Sequence, residues 1–398
     1  MNVLFLTHRL PYAPNRGDRV RAFHMLRTLA GQAVVDVVSL VHDEDEAARG
    51  PDLDGLAASC ELVRVPTWRN RLRAVTALPT PRPLTHVMLD GPGLRTALAT
   101  AVARRPPDVV LAYCSGMARL ALEPPLAGLP FVLDMVDVDS AKWRALSRVA
   151  SPPMSWIYKR EASRLAAFES MATRAARETL VVTERERAEL AALAPGAPIT
   201  VVPNGVDVDA LAPPNPPAAD ARVVICGVMN YAPNEEAASW LAREIWPHVR
   251  RVRPDATLAI VGAAPTPRVQ ALADPALGIE VTGAVPDVRP YLWSAAVAAA
   301  PIVTARGIQN KVLEAVAAGL PTVVTPNIMA SLPDALRPAC VAAETPETLA
   351  AAMVDLLALS PDARRAFAGR ADVTGLTWSR QLGPLADILR RAAEGRRP

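Results

Sequence analysis

The chain has 398 residues, 51% of them hydrophobic, and a formal net charge of +3. One core seldom grows past about 250–300 residues, so two domains are expected. The small net charge, the lack of a dense Lys/Arg block and an aromatic content of only 4% speak against nucleic acid as the main partner.

Cys60, Cys114, Cys226 and Cys340 lie far apart with no CxxC spacing, which suits reduced thiols in a cytoplasmic protein. No apolar run reaches the roughly 18–20 residues of a spanning helix. The opening MNVLFLTHRLPYAP lacks the basic start of a signal peptide and reads as a buried strand. A cytoplasmic protein is expected, with peripheral contact at the inner face of the plasma membrane left open.

Apolar runs at Val3–Thr7, Val34–Val41, Leu62–Val65, Val109–Tyr113, Phe131–Met135 and Leu180–Thr183 predict strands. Helical spacing at Arg19–Leu29, Pro92–Arg104 and Tyr158–Ala176 predicts helices between them. Near-continuous apolar strands separated by helices imply a parallel sheet covered on both faces. The loop after the first strand carries Arg16, Gly17 and Asp18, and Arg19 opens the following helix. Gly17 permits close backbone approach at a helix N-terminus. The pattern is not GxGxxG, and an ordinary βα turn is the competing reading.

The segment LDMVDVDSAKW (Leu133–Trp143) crowds Asp134, Asp137 and Asp139 at a strand end. Alternation turns Asp137 and Asp139 to the same side. There they orient ligand hydroxyls, cap the helix beginning at Ser140, or hold a cation. A second DVD at Asp207–Asp209 shows how cheaply the triplet arises, so metal is the weakest of the three.

The seam is Val201–Pro217, where the Pro203-Asn204-Gly205 turn leads into a proline-dense linker. The expected division is a domain at 1–203, a linker at 204–219 and a second domain at 220–377. Val223–Val228, Thr257–Val261, Ile279–Thr282, Val297–Ile302, Thr322–Val324 and Cys340–Ala342 are the second set of strands. Glu235–Arg250, Arg268–Leu272, Asn310–Ala318 and Pro346–Leu359 are its helices. In CGVMNYAPN, Gly227 sits at a strand end with Asn230 and Asn234 beyond it, and Gly262 and Thr282–Pro286 occupy comparable ends. The amphipathic, basic segment Trp378–Ala393 caps the second domain or crosses back to the first.

The most informative stretch is GIQNKVLEAVAAGLPTVVTP (Gly307–Pro326), a loop, a helix and a buried strand. Free N–H groups at Gly307, Gln309 and Asn310 and the helix dipole favour an anion. Lys311 adds an ammonium, and Glu314 an acceptor on the same face. Only Lys142, Lys159 and Lys311 are lysines among 43 basic residues, so a lysine retained here points to a need for a compact ammonium. No GxxxxGK[ST], HExxH or GxSxG pattern occurs.

These motifs in this order resemble retaining glycosyltransferases of the GT-B type, family 4. The elements that carry the likeness are LTHRLPYAPNRGDRVRAFHMLRTLA, VVTERERAEL, VVPNGVD, GVMNYAPNEEAASWL, IVGAAP, TGAVPDVRPYLWSAAVAAAP and GIQNKVLEAVAAGLPTVVTP. Together they span nearly the whole chain, and the combination is similar to sugar transferases of exopolysaccharide and exosortase (PEP-CTERM) systems.

The resemblance implies an α/β fold of two Rossmann-like domains whose parallel sheets face a central cleft, with the C-terminal helix 378–393 completing the first. It implies a UDP- or GDP-sugar donor, a glycan or lipid-linked hydroxyl acceptor, and neither a cofactor nor an essential metal. The amides of Gly307, Ile308, Gln309 and Asn310 would meet the diphosphate, beside Gly227, Asn230 and Asn234. Glu314 matches the second glutamate of an E-x7-E pattern and would hold the ribose, while Arg306 stands where the first belongs. The usual basic pair after the first C-terminal strand is missing, which passes phosphate neutralisation to Lys311. Asp137 lies near the place of the family's N-terminal histidine. Lys311, Asp137 and Gly17 are therefore the expected catalytic set, with Arg16, Gly17, Asp18, Arg19 and Asp139 on the acceptor side. A nucleotide-sugar epimerase and a non-catalytic nucleotide-sugar-binding subunit remain the alternatives. An NAD-dependent oxidoreductase lacks its fingerprint.

Overall fold

A computed structural model describes residues 1–12, 17–213, 220–303 and 309–395. The chain divides into two compact units, Met1–Asn204 with Gln381–Pro398, and Gly205–Arg380.

The first unit is built on a seven-stranded parallel sheet in the order β3-β2-β1-β4-β5-β6-β7. Its strands are β1 (Asn2–Thr7), β2 (Val34–Val41), β3 (Ser59–Arg64), β4 (Val109–Tyr113), β5 (Phe131–Val136), β6 (Glu178–Val181) and β7 (Ile199–Val201). β1 pairs with β2 (Val3↔Val35) and with β4 (Val3↔Val109), so the winding reverses between β1 and β4. Most side chains of β1, β2, β4 and β5 are buried, as two covered faces require. β3 begins three residues earlier than its apolar run, because its first four residues, Ser59–Leu62, are only partly buried. β7 was not anticipated: a three-residue edge strand with mixed burial has no periodicity to read.

The helices that matter here are α1 (Gly17–Ala30), α2 (Thr67–Ala77), α3 (Ser115–Ala121), α4 (Asp139–Val149), α5 (Met154–Ala175) and α6 (Glu184–Leu193). α6 starts on a capping box in which Thr183 and Glu186 satisfy each other's backbone N–H groups.

The second unit has a six-stranded parallel sheet in the order β10-β9-β8-β11-β12-β13. Its strands are β8 (Arg222–Cys226), β9 (Thr257–Val261), β10 (Ile279–Gly283), β11 (Val297–Ala300), β12 (Thr322–Val324) and β13 (Cys340–Ala342). Here the winding reverses between β8 and β11, which pair at Val223↔Val297. The helix expected over Glu235–Arg250 is three pieces: α7 (Ala232–Trp240), a π turn at Leu241–Ile245, and α8 (Trp246–Val252). Pro247 has no N–H to give back along the helix and crowds the carbonyl four residues earlier, and the wider turn relieves both. α9 (Asn310–Ala317) follows β11, and α10 (Pro346–Ala358) follows β13.

The seam motif splits between the units. Arg21 donates to Asn204 Oδ1 at 3.1 Å and to the Pro203 carbonyl at 3.3 Å in the first. In the second, a Cβ on Gly205 would lie 2.4 Å from the backbone of Trp378, so only glycine fits. The terminal helix α11 (Leu385–Ala393) packs on β4, β5 and α1, burying Leu385, Ile388, Leu389 and Ala392.

Candidate functional site

The reversal between β8 and β11 leaves a crevice at the carboxyl ends of the strands, where open α/β sheets bind ligands. β8 ends at Cys226 and turns at Gly227, and α9 starts at Asn310 after β11. This brings Lys311 against Gly227: a Cβ on Gly227 would sit 3.3 Å from Lys311 Nζ and 2.7 Å from Asn234 Nδ2. Lys311 Nζ donates to Asn234 Oδ1. Asn234, 6% exposed, anchors its own amide by donating to the Val228 carbonyl at 2.9 Å. The ammonium is thus oriented by a neutral amide. Glu314 lies one turn further along α9.

Burial pushes Lys311 down to about 8, with Glu314 pulling the other way. Burial likewise pushes Glu314 up to about 7, opposed by Lys311. The Cys226 thiol is driven up to about 12 by the same burial and by Glu314, so it stays protonated. Sequence reasoning passed over Cys226 as a neighbour of this pair, and its position just before Gly227 was the available signal. The site therefore holds a cation and a carboxylate that the protein itself only partly neutralises. An anion at the ammonium and hydroxyl donors at the carboxylate would complete it.

Gly262 closes the floor. Its φ is +154°, and a Cβ there would fall 1.6 Å from the Gly227 carbonyl oxygen. The Gly227 N–H donates to Val261 O at 3.0 Å, and the Gly262 N–H to Gly283 O at 3.2 Å, so three strand-end glycines stand side by side. Asn230 is exposed in the turn before α7. Gln309 caps α9 without a side-chain bond to its amides, and Asn310 is the first helical residue. The helix therefore starts later than Gly307, and Gly307, Ile308 and Arg306 lie outside the described residues.

The matching crevice of the first unit, between β1 and β4, is occupied differently. The His8 and Tyr113 rings stack at 5.7 Å. Arg21 from α1 reaches across to Asp134 on β5, with Nη2 2.7 Å and Nε 3.0 Å from Oδ2 and both groups buried. Arg19, expected on the acceptor side, turns inward: it pairs with Glu46 at 3.2 Å and lies over the Tyr12 ring at 4.6 Å. Its charge holds α1 to the short helix Glu44–Ala47 after β2, so its guanidinium is engaged within the unit. Gly17 is the first residue of α1 and Asp18 lies in its first turn, while Arg16 falls outside the described residues.

Asp137 and Asp139 do not share a strand face. β5 ends at Val136, whose φ of +62° breaks the alternation, and its N–H is held by Asp134 Oδ1 at 3.2 Å. Asp139 is the first residue of α4, accepts from Ser115 Oγ at 3.1 Å, and is raised to about 6 by burial. It makes no cap bond. Ser140 is instead held by the buried Glu169, at 3.0 Å to the Ser140 N–H. Asp137 is exposed and hydrogen-bonds Glu186, which burial and that contact push up. Glu186 was not singled out, although the Thr183–Glu186 capping pattern marked it as a fixed carboxyl. Among the described residues no group of three or more His, Cys, Asp or Glu side chains could hold a metal ion. No helix among them is long and apolar enough to cross a membrane.

Comparison with known proteins bears on the fold and the family of domains. Residues 16–205 match the glycosyl transferase 4-like domain, and residues 220–359 match the glycosyl transferases group 1 domain. No curated protein matches the sequence. Among solved structures, Anabaena Alr3699/HepE in complex with UDP-glucose is similar over 99% of both chains, at 14% identity and a TM-score of 0.63. WaaG, a glycosyltransferase involved in lipopolysaccharide biosynthesis, matches over 97% of this chain and 99% of its own, at 20% identity and 0.64. A variant of S. aureus TarM in complex with Fondaparinux, alpha-GlcNAc-glycerol and UDP matches over 98% of this chain and 100% of its own, at 8% and 0.67. These likenesses show the GT-B fold. The two domain matches together take in more than four-fifths of the sequence, and both mark the chain as a glycosyltransferase.

Proposed function

We propose that this glycosyltransferase moves a sugar from a UDP- or GDP-sugar to a hydroxyl of a glycan or lipid-linked acceptor, with retention of configuration, in exopolysaccharide or cell-surface glycan synthesis. The observation that carries the reading is the Lys311–Asn234–Gly227 cluster at the β8/β11 reversal, with Glu314 one turn away. The donor's diphosphate takes the ammonium and the α9 amides, and the ribose hydroxyls donate to Glu314. The acceptor oxygen attacks the anomeric carbon on the face from which the diphosphate departs, and its proton passes to the departing phosphate oxygen. The enzyme's work is positioning and stabilising the leaving charge, which needs no protein nucleophile. Lys311 carries that charge, so no essential metal is required. Asp137 and Gly17 join Lys311 in the catalytic set, with Asp18 and Asp139 on the acceptor side, and the acceptor's lipid link brings peripheral contact with the inner face of the plasma membrane.

The test is a thermal-shift screen against UDP-, GDP-, ADP- and dTDP-sugars, repeated on Lys311→Ala, since a ligand of the folded state raises its melting temperature. Stabilisation by one nucleotide class that disappears in the variant is expected. Equal stabilisation of both proteins would refute the site. Product analysis with and without an acceptor alcohol then reports transfer and anomeric configuration.

A further inference from the structure

In the first unit, one helix carries its apolar stripe on the outside. α2 faces inward through Asn70 and Ala77, and the Asn70 amide donates to the carbonyls of Asp90 at 2.7 Å and Met88 at 3.2 Å. At about 100° per residue, Trp68, Leu72 and Val75 fall on the opposite side. They are 64%, 63% and 63% exposed. Arg71 flanks this stripe on one side, and Arg69 and Arg73 on the other. Arg69 lies over the Trp68 ring at 5.1 Å, and Arg73 pairs with Asp90 at 3.0 Å.

The surrounding sequence is one-signed. Between Glu61 and Asp90 there is no acidic residue, whereas Arg64, Arg69, Arg71, Arg73 and Arg82 all fall in that interval. Arg64 is shared with Glu44. A cavity of about 620 Å³ opens at the start of α2, lined by Arg64, Trp68, Arg69, Arg71 and His42 among others. A second apolar element lies toward the other end of α2. Trp156 and Met154, at the start of α5, are 68% and 42% exposed. Arg160, one turn after Trp156, donates to the carbonyls of Ala77, Leu78, Thr80 and Arg82 at 2.5–3.0 Å, which ties the start of α5 to the end of α2.

Large apolar side chains grouped this way on a protein surface mark a contact. The charge pattern decides with what. Arginines border the stripe on both flanks, as for a helix lying in a bilayer interface with its apolar side in the acyl boundary and its cations at phosphate depth. Tryptophan is favoured at that depth.

We propose that α2, with Met154 and Trp156 of α5, docks this enzyme onto an anionic phospholipid bilayer. Trp68, Leu72 and Val75 enter the acyl boundary, and Arg64, Arg69 and Arg71 meet lipid phosphates around the cavity. The inference rests on the peripheral contact proposed above and gives that contact a surface.

The test is co-sedimentation of the full chain with vesicles of pure phosphatidylglycerol and of pure phosphatidylcholine, with the oligomeric state followed by light scattering. The wild type should pellet with the first and remain largely in solution with the second. The triple variant Trp68→Ser/Leu72→Ser/Val75→Ser should lose at least about tenfold in affinity for phosphatidylglycerol. Arg69→Gln/Arg71→Gln should lose about fivefold per arginine, and the loss should shrink in high salt. Both variants should keep wild-type melting and wild-type transfer to a water-soluble acceptor, because these side chains face solvent. If the wild type ignores phosphatidylglycerol, membrane contact itself fails. If it binds and the triple variant binds equally, this surface fails while membrane contact stands. A wild-type dimer that becomes monomeric in the triple variant would reassign the stripe to a contact between copies and overturn the proposal.

Discussion

The two units wind their parallel sheets around the same kind of reversal, yet the crevices there are filled in opposite ways. In the first, the neighbouring charges are consumed internally: Arg21 is bound by Asp134 and Asn204, and Arg19 by Glu46. In the second, glycines let the strand ends and Lys311 pack closely, and a lysine and a glutamate remain without full neutralisation. A buried ion pair with good geometry fixes structure, whereas a buried charge short of a partner is a cost that a ligand can remove. The same topology thus yields a locked crevice in one unit and a receptive one in the other.

That contrast can be broken experimentally, and the largest effect belongs to the locked side. Asp134→Ala leaves Arg21 buried without its carboxylate and should cost about 3–5 kcal/mol of stability in chemical denaturation. A loss under about 1 kcal/mol would show that the first crevice is not locked by this pair.

On the receptive side, Lys311→Ala should lower kcat/KM about 10²–10³-fold, in line with removal of one donor to a developing anion. Its melting temperature should stay near wild type, since Glu314, already raised to about 7, takes up a proton when the ammonium is gone. Unfolding of this variant would make Lys311 structural. Gly227→Ala is a milder probe. Its methyl would press on Asn234 Nδ2 and Lys311 Nζ, both side-chain ends that can give way, so roughly tenfold weaker nucleotide binding is expected by calorimetry.

The smallest effect sharpens the electrostatics. Donor affinity should rise with pH through about 7, as Glu314 loses its proton and becomes an acceptor, and fall through about 8, as Lys311 loses its own. A bound diphosphate favours the charged ammonium, so the alkaline fall in kcat should lie at higher pH than the fall in kcat/KM. In Lys311→Arg the alkaline limb should vanish, because a guanidinium stays charged. Persistence of that limb would place the titrating group elsewhere.

Much of this was legible in the chain. Lys311 stood out because lysine is so rare here, and Glu314 followed from helical spacing. The strands of both sheets announced themselves as apolar runs, because a parallel strand buried on both faces leaves little room for polar side chains. The illegible parts share one cause. Arg21 and Asp134 are 113 residues apart, and nothing local in either marks the other. Asp137 and Asp139 looked like partners by alternation, but the left-handed turn at Val136 sends one to Glu186 and the other to Ser115. α2 went unnoticed because its large apolar residues point outward, which inverts the pattern that reveals a core-facing helix.

The amino-acid sequence by itself determined the two doubly wound units and the identity of the cation and carboxylate on α9, since periodicity and side-chain chemistry are local properties. Only the tertiary structure decided that Asn234 would hold Lys311, that Gly227 would let both pack against its backbone with Gly262 beneath it, and that Arg19 and Arg21 of α1 would be spent within their own unit. Those outcomes depend on which strand ends are neighbours at each reversal. Neighbourhood across a sheet is set by the packing of segments tens to more than a hundred residues apart, a distance at which local pattern carries no information.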